Sequence, residues 1–336
     1  MGKILIVGGA GYIGSHMVQL LIQQQREVVV VDNLSTGYQD ALTAAGCPTF
    51  IHADISDKNT LRQVFSEHPI DSVIHFASFI QVGESVSQPH KYYQNNLTAT
   101  LALLEVMLEH NVKKFIFSST AAVYGDPEYV PIDEAHPKKP INPYGKSKWM
   151  VEQILEDYDN AYGLRYLSLR YFNAAGADPD GLLGERHDPE THLIPLTLQV
   201  ASGRRPSITI FGSDYDTPDG TCIRDYIHVC DLVAAHSLAL DHLTQGNKSI
   251  ALNLGNGNGF SVRQVIETAK AVTGIDISVT AAERRPGDPP ILIADPAQAQ
   301  AILGWQPYFS SLHDIVRHAW EWEKKWPWHG QAQMEK

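Results

Sequence analysis

The chain opens on KILIV (Lys3–Val7), an apolar, β-branched run bounded by glycine, the pattern of a strand buried on both faces. A helical periodicity carries on to about Gln25, and VVVVD (Val28–Asp32) returns to the unbroken apolar pattern. Similar runs recur at residues 49–52, 72–76, 113–118 and 164–170, each preceded by a helix-like segment. This alternation predicts an α/β fold, a Rossmann-type doubly wound parallel sheet joined by right-handed crossovers. Beyond Tyr171 the texture changes. Glycine, proline and aspartate cluster in NAAGADPDGLLGERHDPETH and FGSDYDTPDGT, and sheet-like pieces return at Ile250–Leu254 and residues 291–294. We expect a nucleotide-binding domain over residues 1–172 with later returns near 225–255 and 290–295. A smaller, interleaved C-terminal substrate-binding domain is expected mainly over 173–330, with a tail at 331–336.

Composition narrows the partners. The 336 residues are 43% hydrophobic and 19% charged, an ordinary globular balance. A net charge of -12 argues against a non-specific polyanion binder, so no nucleic acid is expected. Three cysteines (Cys47, Cys222, Cys230) show no metal-ligand spacing and point to a reducing compartment. The start MGKILIVGG lacks the apolar segment and cleavage-type site of a signal peptide, and Ile6 stands where a myristoylation signal needs Ser or Thr. With no transmembrane run in the sequence, the expectation is a cytoplasmic protein without a membrane partner.

Candidate chemistry begins at the first strand. Gly8-Gly-Ala-Gly-Tyr-Ile-Gly14 follows that strand and opens the first helix, satisfying both Gly9-x-Gly11-x-x-Gly14 and Gly8-x-x-Gly11-x-x-Gly14. Such glycines permit a tight turn and let backbone approach a pyrophosphate, which the helix N-terminus stabilises. A glycine turn without ligand has the same look in isolation. Context separates the two readings, because Asp32 ends the second strand 18 positions after Gly14. A carboxylate there accepts from a ribose 2′-hydroxyl and repels a 2′-phosphate, so NAD is expected rather than NADP. Asp54 ends the third strand, where adenine would lie. His75-Phe76-Ala77-Ser78 ends the fourth and would pass the pyrophosphate and nicotinamide ribose. Both also read as plain strand ends.

Phe117-Ser-Ser-Thr-Ala-Ala-Val-Tyr-Gly125 closes the next strand on three hydroxyls, and Asn142-Pro-Tyr-Gly-Lys-Ser-Lys148 opens a helix with Tyr144 and Lys148 one turn apart. The pair is either a solvated surface contact or a tyrosine made basic by its lysine. An unperturbed tyrosine has a pKa of about 10, so a base at neutral pH needs roughly 4 kcal/mol of differential phenolate stabilisation. Lys148 and a cationic nicotinamide ring are expected to supply it together.

The glycine loop, the hydroxyl run and Tyr144-x-x-x-Lys148 together resemble the extended short-chain dehydrogenase/reductase superfamily. Within it, GGAGYIGSH, DNLSTG, FSSTAAVYG, NPYGKSK, RYFNAAGA and DGTCIRDYIHV resemble the UDP-glucose 4-epimerase family, over about residues 3–322. The resemblance implies an NAD-dependent isomerase that interconverts UDP-galactose and UDP-glucose through a 4-keto sugar. Tyr144 would take the proton from the sugar 4-hydroxyl, Thr120 would bridge sugar and tyrosine, and Lys148 would bind the nicotinamide ribose and lower the tyrosine pKa. NAD would lie against Gly8, Gly11, Tyr12, Ile13, Gly14, Asp32, Asn33, Leu34, Ser35, Thr36, Gly37, Asp54, Ile55, Phe76, Ala77, Asn95, Thr120, Tyr144, Lys148 and Phe172. The UDP-sugar would be held by Tyr171, Asn173, His192, Leu193, Ile210, Phe211, Arg224, Tyr226, Arg285, Asp288 and Leu292, with arginine forks suited to the diphosphate. A homodimer is also implied, through helices around residues 92–109 and 148–158, although core packing explains the same apolar faces.

Two positions depart from the family pattern: Ile80 stands where some members carry lysine, and His192 where some carry asparagine. Leu292 aligns with a residue that limits sugar size, a tyrosine there excluding N-acetyl sugars and a small residue admitting them. A UDP-N-acetylglucosamine or UDP-glucuronate 4-epimerase, or another nucleotide-sugar enzyme of the superfamily, therefore stays open. A dehydratase would need Asp-Glu after Thr120, where this chain has Ala121-Ala122. Glu185, His187, Asp188, Glu190 and His192 crowd one stretch but lack zinc-ligand spacing, so a solvated loop and no metal are expected there.

Overall fold

The computed structural model describes residues 2–285, 287–325 and 327; the expected tail at 331–336 lies outside them. Six strands open the chain: β1 (Lys3–Val7), β2 (Val28–Asp32), β3 (Phe50–His52), β4 (Ile70–His75), β5 (Lys114–Thr120) and β6 (Arg165–Tyr171). They join a seven-stranded sheet in the order β3-β2-β1-β4-β5-β6, closed by a strand from much later in the chain, Ile250–Leu254. Every neighbouring pair is parallel. The order reverses between β1 and β4, and open sheets of this kind bind ligands where the carboxyl ends of the strands diverge.

Strands β1, β2, β4 and β5 are buried on both faces, as their apolar runs predict, while β3 at the edge is only partly covered. Ile4, Ile6, Val28 and Val30 face α1 (Tyr12–Gln23). Leu5, Val7, Val29 and Val31 face the opposite layer. Of the connecting helices, α2 (Gln39–Ala44) follows β2 and α3 (Lys58–Glu67) follows β3. Two short helices, α4 (Val82–Ser87) and α5 (Pro89–Tyr92), follow β4 and lead through a π-helical stretch, Tyr93–Thr98, into α6 (Ala99–Glu109). The long α7 (Pro143–Tyr162) begins where Asn142 Oδ1 accepts from the Gly145 N–H at 2.9 Å, with Pro143 in its first turn. It ends on Gly163 at φ 68°, a left-handed cap.

After β7 (Asn173–Ala175) the chain builds a second body from α8 (Leu193–Ala201), β8 (Ile208–Phe211) and β9 (Ile223–His228). It then returns to the large sheet with α9 (Val229–Thr244) and β10 (Ile250–Leu254). Once more it leaves, through β11 (Gly259–Ser261), α10 (Val262–Thr273), β12 (Val279–Ala282) and β13 (Ile291–Leu292). The last helices are α11 (Ala297–Leu303) and α12 (Leu312–Glu323). A small sheet gathers β11, β9 and β13 with β7 on β9, and β12 pairs with β8. Ile194, Leu198, Ile208, Val265, Ile315 and Val316 fill the second core.

One sequence expectation is corrected here. The stretch 290–295 does not rejoin the large sheet, because β13 pairs with β9 in the small one. The return is made just afterwards, where Ala299 of α11 and Trp305 enter the first core and Trp305 Nε1 donates to Asp231 O at 2.9 Å.

Candidate active site

The carboxyl ends of β1 to β4 open on a cleft of about 540 Å³. Its floor is the glycine loop. Gly8 sits at φ 80°, where a Cβ would come within 2.5 Å of Ala77 N, and a Cβ on Gly14 would meet Gly8 O at 2.1 Å. The turn and the first residues of α1 can lie this close to the strands only without side chains. Asp32 Oδ2 accepts from Ala10 N–H at 2.9 Å and Oδ1 from Leu34 N–H at 2.7 Å, so the loop and the acidic strand end fix one another. Burial pushes the Asp32 carboxyl above its ordinary pKa, against those two N–H bonds. Asn33 Nδ2 donates to Asp54 Oδ2 at 2.7 Å, tying the ends of β2 and β3.

The cleft collects most of the cofactor residues expected from sequence: Gly8, Gly11, Asp32, Asn33, Ser35, Thr36, Gly37, Asp54, Ile55, Phe76, Ala77 and Asn95. Tyr12, Ile13, Gly14, Leu34 and Phe172 do not line it. The Tyr12 hydroxyl instead donates to Gly176 O at 2.7 Å, and Phe172 rests on the small Val123–Tyr124–Ile132 cluster. Ser78, in the fourth strand end expected to pass the cofactor, lines it too, and Val7, Val31, Ala53 and Phe79 line the cleft unforeseen. Their signal was present, since each adjoins a strand end already singled out. A glycine turn with no room for a Cβ at Gly8 or Gly14, an α1 N-terminus and a buried carboxylate fit a dinucleotide.

Each hydroxyl of the β5 run has a separate partner. Ser118 Oγ lies 3.0 Å from His236 Nε2, Ser119 Oγ donates to Glu152 Oε1 at 2.5 Å, and Thr120 Oγ1 accepts Ala122 N–H at 3.1 Å on the side where its hydroxyl favours the charged form of the Tyr144 phenol. Thr120 and Tyr171 stand opposite one another in the β5–β6 register. Lys148, 2% exposed, donates to Ser78 Oγ at 2.6 Å and Ser118 O at 2.8 Å. Ser78 therefore joins the reacting helix to the cleft.

The expectation that Lys148 lowers the Tyr144 pKa is not met by the chain's own groups. Burial pushes Tyr144 up, with the Thr120 hydroxyl opposing. Burial pulls Lys148 down to about 7, with Glu152 opposing. The lysine is aimed at Ser78 and a backbone carbonyl, so its charge does not reach the phenol strongly.

Two buried arrangements hold this helix in place, and neither was foreseen. Arg170 Nε donates to both Glu152 oxygens at 3.0 and 3.1 Å, and its NH1 reaches the Tyr124 hydroxyl at 3.0 Å. Asn96 Oδ1 accepts from Phe79 N–H at 2.9 Å, while its Nδ2 donates to Phe79 O at 3.0 Å and Ser147 Oγ at 3.3 Å.

On the second body, Asn173 Nδ2 donates to Asp225 O at 2.8 Å, and Asn173 pairs with Tyr226 in register. Arg224 is ion-paired to Asp288 and stands opposite Leu292 in the β9–β13 pair. The Arg285 guanidinium lies 4.0 Å over the Phe211 ring. Leu292 packs with Phe172 against Val123 and Tyr124, just beyond Thr120. Ile210 is buried in the second core and Leu193 packs on it. His192 does not join this group. It caps α8 and turns its ring to Glu185 and Glu190.

The loop expected to be solvated is corrected too. Glu185 and Glu190 are 6% exposed in their side chains, and the donor atoms of Glu185, His187, Glu190 and His192 lie within 4.8 Å of one another. Asp188 is exposed, and the His192 side chain keeps 40% of its surface open. The cause is far away in sequence: Trp322 of α12 covers the loop, its Nε1 donating to Glu185 O at 3.0 Å. Burial opposes the charged imidazoles, but the two carboxylates win and raise His187 to about 9 and His192 to about 10.

Residues 4–255 match the family model of the NAD dependent epimerase/dehydratase family. A UDP-glucose 4-epimerase of Halalkalibacterium halodurans is 55% identical over 327 residues, 97% of each chain. Among solved structures, UDP-glucose 4-epimerase from Brucella ovis in complex with NAD has a TM-score of 0.92 at 48% identity, covering 95% of this chain and 98% of that one. The Bifidobacterium longum UDP-glucose 4-epimerase in complex with NAD+ and UDP has a TM-score of 0.91 at 41% identity, covering 97% and 99%.

Proposed function

This chain belongs to the NAD dependent epimerase/dehydratase family, and from that premise we propose that it interconverts UDP-galactose and UDP-glucose by oxidation and re-reduction at C4 of the hexose. The observation that carries the reading is the buried Tyr144–Lys148 turn of α7, with Lys148 joined through Ser78 to the dinucleotide cleft and Thr120 at the end of β5 facing the phenol. The glycine loop and Asp32 hold NAD, which when bound supplies the two-electron acceptor, its return within one turnover, and a positive charge.

Tyr144 Oη takes the proton of the sugar 4-hydroxyl and returns it to the 4-keto oxygen, with Thr120 Oγ keeping that oxygen in line. Burial alone raises the phenol, so the chain keeps Tyr144 protonated until a cation shares the site. Lys148, near neutrality and anchored at two acceptors, binds ribose hydroxyls rather than acting as the proton carrier. Arg224, Arg285 and Asn173 serve the UDP from the second body, which leaves the sugar free to turn between oxidation and reduction.

Purified protein incubated with UDP-galactose and no added cofactor is expected to form UDP-glucose, and denaturation is expected to release a dinucleotide. Cofactor-loaded protein that leaves UDP-galactose unchanged would overturn the assignment. Ala121 and Ala122 support epimerisation over dehydration, having no acid or base for elimination. Sugar size is assigned to Leu292. With UDP-N-acetylgalactosamine in the same assay, Leu292→Tyr is expected to lower turnover at least about tenfold and Leu292→Ala to raise it, the order of effect a pocket contact of this size carries. Equal rates in all three proteins would remove Leu292 from specificity.

The same proposal places the enzyme in the cytoplasm as a homodimer. Free Cys47, Cys222 and Cys230 support a reducing compartment. Exposed Val82 and Val86 on α4 and Met150 on α7 support pairing through that side. A light-scattering mass of a single chain at micromolar concentration would refute the dimer.

A further inference from the structure

We propose that Glu185, His187, Glu190 and His192 bind one divalent transition-metal ion, zinc by the chemistry of the donors, at a structural site apart from the reacting groups. His192 Nδ1 lies 2.7 Å from Glu185 Oε1 and 3.1 Å from Glu190 Oε1, and His187 Nδ1 lies 3.2 Å from Glu185 Oε1 and 3.6 Å from Glu190 Oε2. Donors on a tetrahedral zinc ion, at bond lengths of about 2.0–2.2 Å, stand roughly 3.3–3.6 Å apart. One donor atom from each of the four residues lies within 4.8 Å of the others, close to that scale. Small side-chain rotations bring all of them onto one ion.

A second observation is independent of these distances. His187 Nδ1 is buried and makes no hydrogen bond, although two carboxylate oxygens stand within 3.6 Å of it. Atoms that converge without sharing a proton along a bond are arranged as ligands are. The charge agrees once binding displaces the two imidazolium protons: two carboxylates with two neutral imidazoles carry two negative charges, which a dication cancels. Arg186, the loop's own cation, is drawn instead to Asp40 Oδ2 at 2.9 Å and over the Tyr38 ring at 3.5 Å.

The donors are held rather than loose. Trp322 bonds Glu185 O, a Cβ on Gly184 would strike that indole at 2.2 Å, and Glu190 Oε1 accepts the N–H groups of Thr191 and His192 at 2.7 and 2.8 Å. Imidazole nitrogen with carboxylate oxygen suits zinc, and four protein donors leave no open position, the mark of a structural rather than a catalytic ion. Its place explains a role. His187 stands edge-on to Tyr12 at 6.3 Å, in the first turn of α1, and His192 caps α8. The ion would fasten the start of α8, in the second body, to the helix beneath the cofactor loop.

The test uses the full chain, prepared without a polyhistidine tag, stripped with a chelator and then given zinc sulfate. One zinc per chain is expected to survive gel filtration by elemental analysis, and the melting temperature to rise on reloading. Cobalt in place of zinc is expected to give the intense visible absorption of four-coordinate Co(II). His187→Ala with Glu190→Ala should weaken zinc at least about a hundredfold while bound dinucleotide, read by its absorbance on denaturation, is kept. Zinc retained equally by this variant, or a wild-type melting temperature that zinc does not move, would overturn the site. In that case protons on the two imidazoles balance the carboxylates.

Discussion

Tyr144→Phe is expected to keep the fold and the bound dinucleotide and to lose epimerase turnover by about 10²–10⁴-fold, the usual contribution of a positioned acid–base group. The substitution removes one oxygen from a side chain that is 8% exposed and whose ring stays in place, so stability has little reason to change. The lost oxygen is the one whose charged form Thr120 favours and the one that would carry the sugar proton. On the proposed anchoring of UDP by the second body, substrate binding should be kept, and the loss should fall on kcat rather than KM. Turnover within tenfold of the parent protein would mean that another group takes the proton, and the Thr120–Tyr144 pair would then have to be read as packing.

Glu152→Ala is expected to lower the unfolding free energy by about 3–5 kcal/mol, the cost of stranding a buried charge. Both side chains of the Glu152–Arg170 pair are nearly sealed, at 4% and 5% exposure. Without Glu152, Arg170 keeps the Tyr124 hydroxyl as a partner, and the Ser119 hydroxyl loses its acceptor. Adding Arg170→Met should recover part of the loss, since two apolar groups replace a pair rather than orphan a charge. Urea denaturation of the single and double variants gives both numbers. A single variant within about 1 kcal/mol of the parent would show that the pair is neutral to the fold. Activity is expected to fall as well, because Glu152 sits one turn beyond Lys148 on α7.

What was readable in the sequence shares one property: it is written in short spacings. The β1 and β2 runs, the glycine loop and the Tyr144–Lys148 turn all lie within a strand or a helical turn, and local periodicity sets them. What was not readable depends on register between distant segments. Ser119 meets Glu152, and Arg170 meets them both, only because β5 and β6 pair Ser119 with Arg170. Asn96 matters because the wide turns before α6 bring it under Phe79. The loop at 185–192 read as solvated because nothing within it announces Trp322, which covers it from more than a hundred residues away. The sign that the chain's own groups give the Tyr144 shift was unreadable for a different reason. Spacing gives the neighbour, but only the burial of the phenol and the aim of the lysine give the sign.

The late arrival of β10 bears on how the chain is made. When residues 1–172 have left the ribosome, β6 is an open edge, and the face that α9 will cover is bare. The partner strand Ile250–Leu254 is still to be translated. A half-built sheet of that kind invites pairing with another nascent copy. The threading of the chain between its two bodies thus makes the molecule depend on its last third before its first half is safe.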